Sequence, residues 1–351
     1  MRQFRHRIIK TGFEALHMTG AYRWFRPFAG AGAIFKLHHV RPPRGDAFQP
    51  NRHLEIAPEY LRTVLRFVRD RGLDIVTLDE VQRRLTDGDL ERSFVAFVFD
   101  DGYRDNRDHA LPLMKEFDAP FTVYVTSDFA AGRGKLWWLT LERIIAGTTA
   151  LDITLDGACV SYRYADARQR QQAFTDLHCR LRELPTDAAL HQAMDDLCTR
   201  QGVDPSAVAR ELCLSWDELR SFAAEPLVTI GAHSVSHCML AKSPPEHARA
   251  ELEESRARIE AEIGRPVRHL AYPYGDRDAA NGREFEMAHA LGFATAGTTR
   301  PGMLYAENAA HLHALPCISL NGNYQDERML DVLTSGAATA LWNGFRRLNV
   351  A

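Results

Sequence analysis

The chain has 351 residues, 45% of them hydrophobic and 25% charged, with a formal net charge of −3. This profile specifies a soluble globular protein built as one large domain, or one domain with a sizeable insertion, and excludes a disordered chain. No global basic field exists, so nucleic acid is not an expected partner.

The first 26 residues carry Arg2, Arg5, Arg7, Lys10, Arg23 and Arg26 against one acid, Glu14. Residues 1–30 are read as a basic helical segment packed beside the core, with peripheral membrane association on an anionic surface as the alternative. His17, Arg23 and Arg26 interrupt every candidate apolar region behind this basic start, so no signal peptide is expected. No stretch reaches the length of a membrane span. The six cysteines (159, 179, 198, 213, 238 and 317) are scattered, with no CxxC pair. That spacing suggests reduced thiols and a cytoplasmic location, at the inner membrane face if the basic segment binds lipid.

Alternating elements follow. AIFKLHHV (33–40) reads as a buried strand ending in two histidines, Pro58 to Arg71 as a helix stopped by Gly72, and DIVTL (74–78) as a strand. Thr77 to Glu80 forms a capping box for a helix ending near Gly88. FVAFVFD (94–100) is a continuous apolar strand, a helix runs on through Lys115, and PFTVYVTS (120–127) is the next strand. Residues 133–214 break the rhythm with a hairpin turning at Asp156-Gly157 and polar helical segments, and are read as an insertion. Trp137 and Trp138 within it are expected to pack in a core, with sugar stacking as the lesser role. LVTIGAH (227–233), HLAYPYG (269–275) and FATAGTT (293–299) resume the strands. A helix capped by Ser243, with Pro244 first and Glu246 completing the box, runs to Gly264.

Apolar strands alternating with helices predict an α/β fold with a parallel sheet covered on both faces, either barrel or doubly wound. The expected layout is a catalytic domain of residues 31–132 and 215–325, the 133–214 insertion, and a C-terminal helix over 326–351. In such a sheet the chemistry belongs at the C-terminal strand ends, where Asp100, Asp101, His38, His233 and Tyr274 all fall.

Two stretches carry that chemistry. FVFDDGYRDN (99–108) sets two carboxylates side by side at a strand end, which a nearby cation makes tolerable. GAHSVSHCML (231–240) places His233 and His237 four apart, so both imidazoles can lie on one side of a turn. Two imidazoles and one carboxylate make a common catalytic metal site with a position open to water. Asp101, His233 and His237 are the predicted ligands, and Asp100 the base beside them.

FVFDDGYRDN, GAHSVSH and AYPYG resemble, in order and spacing, the leading motifs of the NodB-homology polysaccharide deacetylases, carbohydrate esterase family 4. The resemblance covers roughly residues 33–130 and 215–320. It implies a distorted (β/α) barrel, a divalent metal that is often zinc, and hydrolysis of N-acetyl groups from N-acetylglucosamine oligomers or polymers, of chitooligosaccharide or exopolysaccharide type. By the same resemblance Asp100 is the catalytic base, Asp101, His233 and His237 hold the metal, and the Tyr274 backbone N–H helps bind the oxyanion.

Two positions depart from the family pattern. The third motif usually begins with an Arg that steadies the base, and here that residue is Ala271. The late Leu-x-His that supplies the general acid is not evident near His311 and His313. IFKLHHV instead resembles the first strand of circularly permuted members, the poly-N-acetylglucosamine deacetylases, which makes His38 the expected acid, with His39 and His313 as alternatives. Hydrolysis of another C–N amide on the same barrel, and an inactive carbohydrate-binding homologue, are the competing readings. Metal content and acetate release separate them.

Overall fold

The computed structural model describes residues 2–350, with side chains from Ile9 onward. The side chains of Arg2, Arg5 and Arg7 therefore lie outside the described residues. Seven parallel strands close into a barrel. Around the ring they are Gly32–Leu37, Leu315–Ser319, Thr295–Pro301, His269–Ala271, Val228–Ala232, Phe121–Val125 and Phe94–Phe99. Gly32–Leu37 pairs in register with Phe94–Phe99, Lys36 beside Val98, and this contact closes the ring. A two-residue strand, Asp74–Ile75, pairs with the start of Phe94–Phe99.

The strands are apolar on both faces because both are buried. Phe35, Leu37, Val95, Phe97 and Phe99 face outward into a core shared with the surrounding helices. Ile34, Phe94, Ala96, Val98, Tyr124, Ala271 and Cys317 fill the lumen. Alternation with period two therefore aims Lys36 and Asp100, like their neighbours Ile34 and Val98, toward the barrel interior.

Several elements form where local chemistry predicts them. The Thr77 hydroxyl accepts from the Glu80 N–H and opens the Leu78–Asp87 helix, which Gly88 ends in a left-handed conformation. The Ala150–Leu155 and Ala158–Arg163 hairpin turns at Asp156 and Gly157, both with positive φ. Two elements differ from expectation. The helix after Ser243 runs Pro245–Ile263 without a side-chain cap, because the Ser243 hydroxyl donates back to the Met239 carbonyl instead. In place of one helix over 326–351 there are two short ones, Glu327–Thr334 and Ala337–Trp342, broken by a left-handed Gly336 whose Cα lies too close to the Phe28 backbone for any side chain.

The segment 133–214 contributes helices Trp137–Gly147, Ala167–Glu183, Asp187–Gln201 and Ala207–Leu212 around an apolar cluster that joins Trp137, Trp138, Leu177 and Leu197 to Tyr103, Phe129 and Met239 from outside the segment. At the chain start, Arg2–Met18 is a helix that buries Phe13 and ties His17 to Asp331 at 3.1 Å. No helix among the described residues is long and apolar enough to cross a membrane.

Candidate active site

Strand parity delivers Asp100 to the lumen end of the barrel, but a left-handed backbone at Asp101 (φ 72°) breaks the alternation. The two carboxylates consequently face different partners. The Asp101 Oδ1 atom lies 3.5 Å from His233 Nε2 and 3.3 Å from His237 Nε2, with all three residues buried. The Asp100 Oδ2 atom lies 3.7 Å from His38 Nε2 and 3.9 Å from Lys36 Nζ.

Non-glycine residues with positive φ recur here: Asp101, Ser234, His237 and Tyr274. Such conformations are costly and persist only where the surroundings over-determine them. For the histidine loop those surroundings are visible. The buried Glu251 carboxylate accepts from the Val235 and Ser236 N–H groups and the Ser236 hydroxyl, each at 2.9 Å. The Ser234 hydroxyl accepts from the His237 N–H at 2.9 Å. From the 133–214 segment, Asp187 accepts from the Met239 N–H at 3.0 Å.

The residues fit a divalent cation. His233 Nδ1 lies 2.8 Å from the Ala271 carbonyl, which can only accept, so Nδ1 donates and Nε2 of the neutral ring presents a lone pair. That lone pair faces a carboxylate oxygen, Asp101 Oδ1, which is buried without a hydrogen-bond partner. Two electron-rich atoms so placed repel unless a proton or a metal ion lies between them, and the donor set suits a metal ion. Ligand atoms of Asp101, His233 and His237 lie within 4.8 Å of one another. A second grouping, Cys238, His247 and Glu251, does not compete, because Glu251 is consumed by the hydrogen bonds above and His247 is exposed.

Burial raises the Asp100 carboxyl above its ordinary value, against the pull of Lys36. It opposes ionisation of Asp101 as well, but there the two imidazoles outweigh it and hold the carboxyl well below the usual range. Burial also disfavours protonation of both imidazoles. At His233 the neighbouring carboxylates overcome it and the pKa rises, whereas at His237 burial prevails and the pKa falls. Burial, reinforced by Lys36, holds His38 well below the ordinary histidine value, so its imidazole is neutral near pH 7.

The three candidate acids separate cleanly. His38 directly follows the first barrel strand and lies beside Asp100. His39 points away: its Nδ1 lies 2.6 Å from Asp105 Oδ2 and its ring stacks on Tyr103 at 3.5 Å. His313 lies outside the site, 2.8 Å from the Phe293 carbonyl and against the His289 ring. The Tyr274 ring sits 4.8 Å from the His237 ring and its hydroxyl accepts from Trp137 Nε1 at 2.7 Å. The Tyr274 backbone N–H makes no hydrogen bond among the described residues.

Three contributors, Lys36, Glu251 and Asp187, escaped sequence reasoning, and Trp138 was read mainly as a core residue. Lys36 puts a cation on Asp100 from the strand opposite Ala271, and both line the same interior space. Its signal was a lone lysine in an apolar strand. Trp138, from the 133–214 segment, lies 4.9 Å from His237. Glu251 and Asp187 are remote in sequence and had no local signature.

The polysaccharide deacetylase family profile matches residues 87–296, more than half of the chain. The chain belongs to the polysaccharide deacetylase family. The matched residues include Asp100, Asp101, His233, His237 and Tyr274 but not the strand bearing Lys36 and His38. No curated protein matches this deacetylase-family chain in sequence. Among solved structures it resembles the Streptococcus pyogenes deacetylase PplD in complex with acetate, at TM-score 0.57 and 17% identity over 86% of this chain and 97% of that one. BC0361, a polysaccharide deacetylase from Bacillus cereus, gives 0.54 and 15% over 86% and 68%. IcaB from Ammonifex degensii gives 0.52 and 16% over 86% and 97%. At these identities the likeness shows a shared barrel.

Proposed function

We propose that this polysaccharide deacetylase-family protein hydrolyses N-acetyl groups from N-acetylglucosamine-containing oligosaccharides or polysaccharides, and that it does so with a divalent metal, zinc being the leading choice. The observation that carries the reading is the division of labour between two adjacent carboxylates, Asp101 with two imidazoles and Asp100 with an imidazole and an ammonium.

Asp101, His233 and His237 would hold the cation, which when bound supplies Lewis-acid polarisation of the acetamide carbonyl and acidifies the attacking water. Asp100 is the base that takes the water's proton as the oxygen adds to the carbonyl carbon. Its raised pKa suits that role, since a stronger base accepts the proton more readily. The Tyr274 N–H is the donor for the oxyanion, held by the anchored ring behind it. Breaking the C–N bond requires a proton on the departing nitrogen. His38, neutral and next to Asp100, can receive the captured proton and pass it to the amine, leaving acetate and a free amino sugar. Trp138 and Tyr274 pack against His237 and exclude water from the ligand side.

The deciding experiment is a metal-reconstituted assay for acetate release across chitin oligomers and acetylated exopolysaccharides. Acetate in stoichiometry with new amines supports the reading. Ammonia or ring-opened products from imide or ureide substrates, without acetate release, would assign another C–N hydrolase. Binding of glycan without turnover or bound metal would assign a carbohydrate-binding homologue.

A further inference from the structure

The exposed large apolar side chains of the described residues are Met18, Trp24, Leu341, Trp342 and Phe345. All of them come from the two ends of the chain. Met18 and Trp24 are 79% and 83% exposed, and Phe345 is 57% exposed. These ends are packed on each other. Phe345 stacks on Phe25 at 6.3 Å and meets Phe28 edge-on at 5.8 Å, and the Phe13 and Trp342 rings lie 5.7 Å apart. Phe345 has a left-handed backbone, φ 64°, an uncommon state for a bulky side chain and one that holds its ring out with the others.

The same two segments are basic. Residues 18–30 and 336–351 contain Arg23, Arg26, Arg346 and Arg347 and no aspartate or glutamate. All four guanidiniums are on exposed residues, and none pairs with a carboxylate among the described residues. Many other surface arginines are tied down, as Arg83 is to Glu80 and Asp89, and Arg104 and Arg107 are to Glu218; exposed arginines without a carboxylate partner, such as Arg66 and Arg168, stand apart from the exposed apolar rings. Apolar rings and unpaired arginines together on one surface match the two components of an interfacial membrane site: aromatic groups for the headgroup–acyl boundary and cations for anionic lipid.

We propose that the surface formed by Met18–Phe28 and the 341–347 segment binds an anionic lipid bilayer. A second copy of the chain is the poorer occupant, because a two-fold contact would bring this unpaired positive patch onto itself. The surface also has a consistent orientation. Arg23 and Arg26 line a groove with Gly32 and Phe94, the first residues of two barrel strands, whereas Asp100 and His38 lie beyond the last residues of those strands. Docked through this end, the protein presents its carboxylate site away from the bilayer. The membrane association read from sequence as the alternative for residues 1–30 is here narrowed to Met18–Phe28, since the first helix turns Phe13 and His17 inward.

The test is sedimentation of the full chain with vesicles of phosphatidylcholine alone and of phosphatidylcholine mixed with phosphatidylglycerol, at low and high salt. Binding to the mixed vesicles only, weakened by salt, is expected. The double substitution Arg23→Gln/Arg26→Gln should cut partitioning on the order of 25-fold, about fivefold per charge. Met18→Ser/Trp24→Ser should remove the salt-resistant part, and melting curves should match the parent because both side chains are largely exposed. Absence of binding to anionic vesicles at low salt overturns the proposal, as does binding that both double variants leave intact. A concentration-dependent dimer that Trp24→Ser dissociates would assign the surface to a second copy and overturn it equally.

Discussion

The two sides of the Asp100–Asp101 pair are built differently. On the Asp101 side, the ligands come from two short stretches whose turns carry their own geometry: left-handed Asp101, Ser234 and His237, and a Ser234 hydroxyl bonded within its own loop. On the Asp100 side nothing is local. His38 and Lys36 reach Asp100 because the Gly32–Leu37 and Phe94–Phe99 strands meet in register where the ring closes, with Ala271 lining the same interior space. A cluster made by local turns can be read from a motif, whereas one made by ring closure cannot. The ligand side should accordingly fail all at once when one residue is removed, and the base side should fail by degrees.

The largest effect is expected on the ligand side. His237→Ala should lose tight metal binding and all measurable acetate release together, checked by metal analysis of the purified variant. Full metal occupancy with retained turnover would break the comparison at its root.

Asp100→Asn should keep the metal and lose kcat by about 10²–10⁴-fold, because an amide cannot accept the proton. Its pH profile sharpens the point. Asp100 must be ionised to act, and burial raises its pKa. Activity of the parent should therefore fall as pH drops through a value above the ordinary aspartate pKa of about 3.9, and that limb should be absent from the residual activity of the variant.

His38→Ala should lower kcat by roughly two orders of magnitude with metal content unchanged. His39→Ala should leave turnover nearly normal while costing about 1–3 kcal/mol of stability, because it strips the buried Asp105 contact. Reversal of these two outcomes would exchange their roles, and a loss seen only in His313→Ala would move the acid to another strand.

Lys36→Met should reduce kcat by roughly ten- to a hundredfold, with substrate affinity much less affected, if its charge steadies Asp100. Adding Ala271→Arg to that variant should restore part of the loss, since both positions open on the same interior space as Asp100. No recovery in the double variant would make Lys36 a packing element instead.

The smallest effect belongs to the support of the ligand loop. Glu251→Gln should weaken metal affinity about 10–100-fold, as is usual when an outer partner of a ligand loop is altered, while a saturating metal concentration recovers turnover. Titration of activity against added zinc measures both.

Much of this arrangement was legible in residue order. Continuous apolar runs, the Thr77 cap and the Asp156-Gly157 turn follow from interactions within a few residues, so six of the seven barrel strands could be read directly, and only Leu315–Ser319 was missed. The DDG and HSVSH stretches were equally readable, because a metal site needs particular donor atoms at close spacing. Boundaries were less so: Ser243 had two partners to choose from, and a close backbone approach at Phe28 split the last helix at Gly336. Only the folded chain decided that Lys36 stands beside Asp100 and that Trp138, Asp187 and Glu251 lie against the histidine loop. Those contacts join residues tens to hundreds of positions apart, and a chain's order carries no record of which of its distant side chains will share a cavity once the ring is closed.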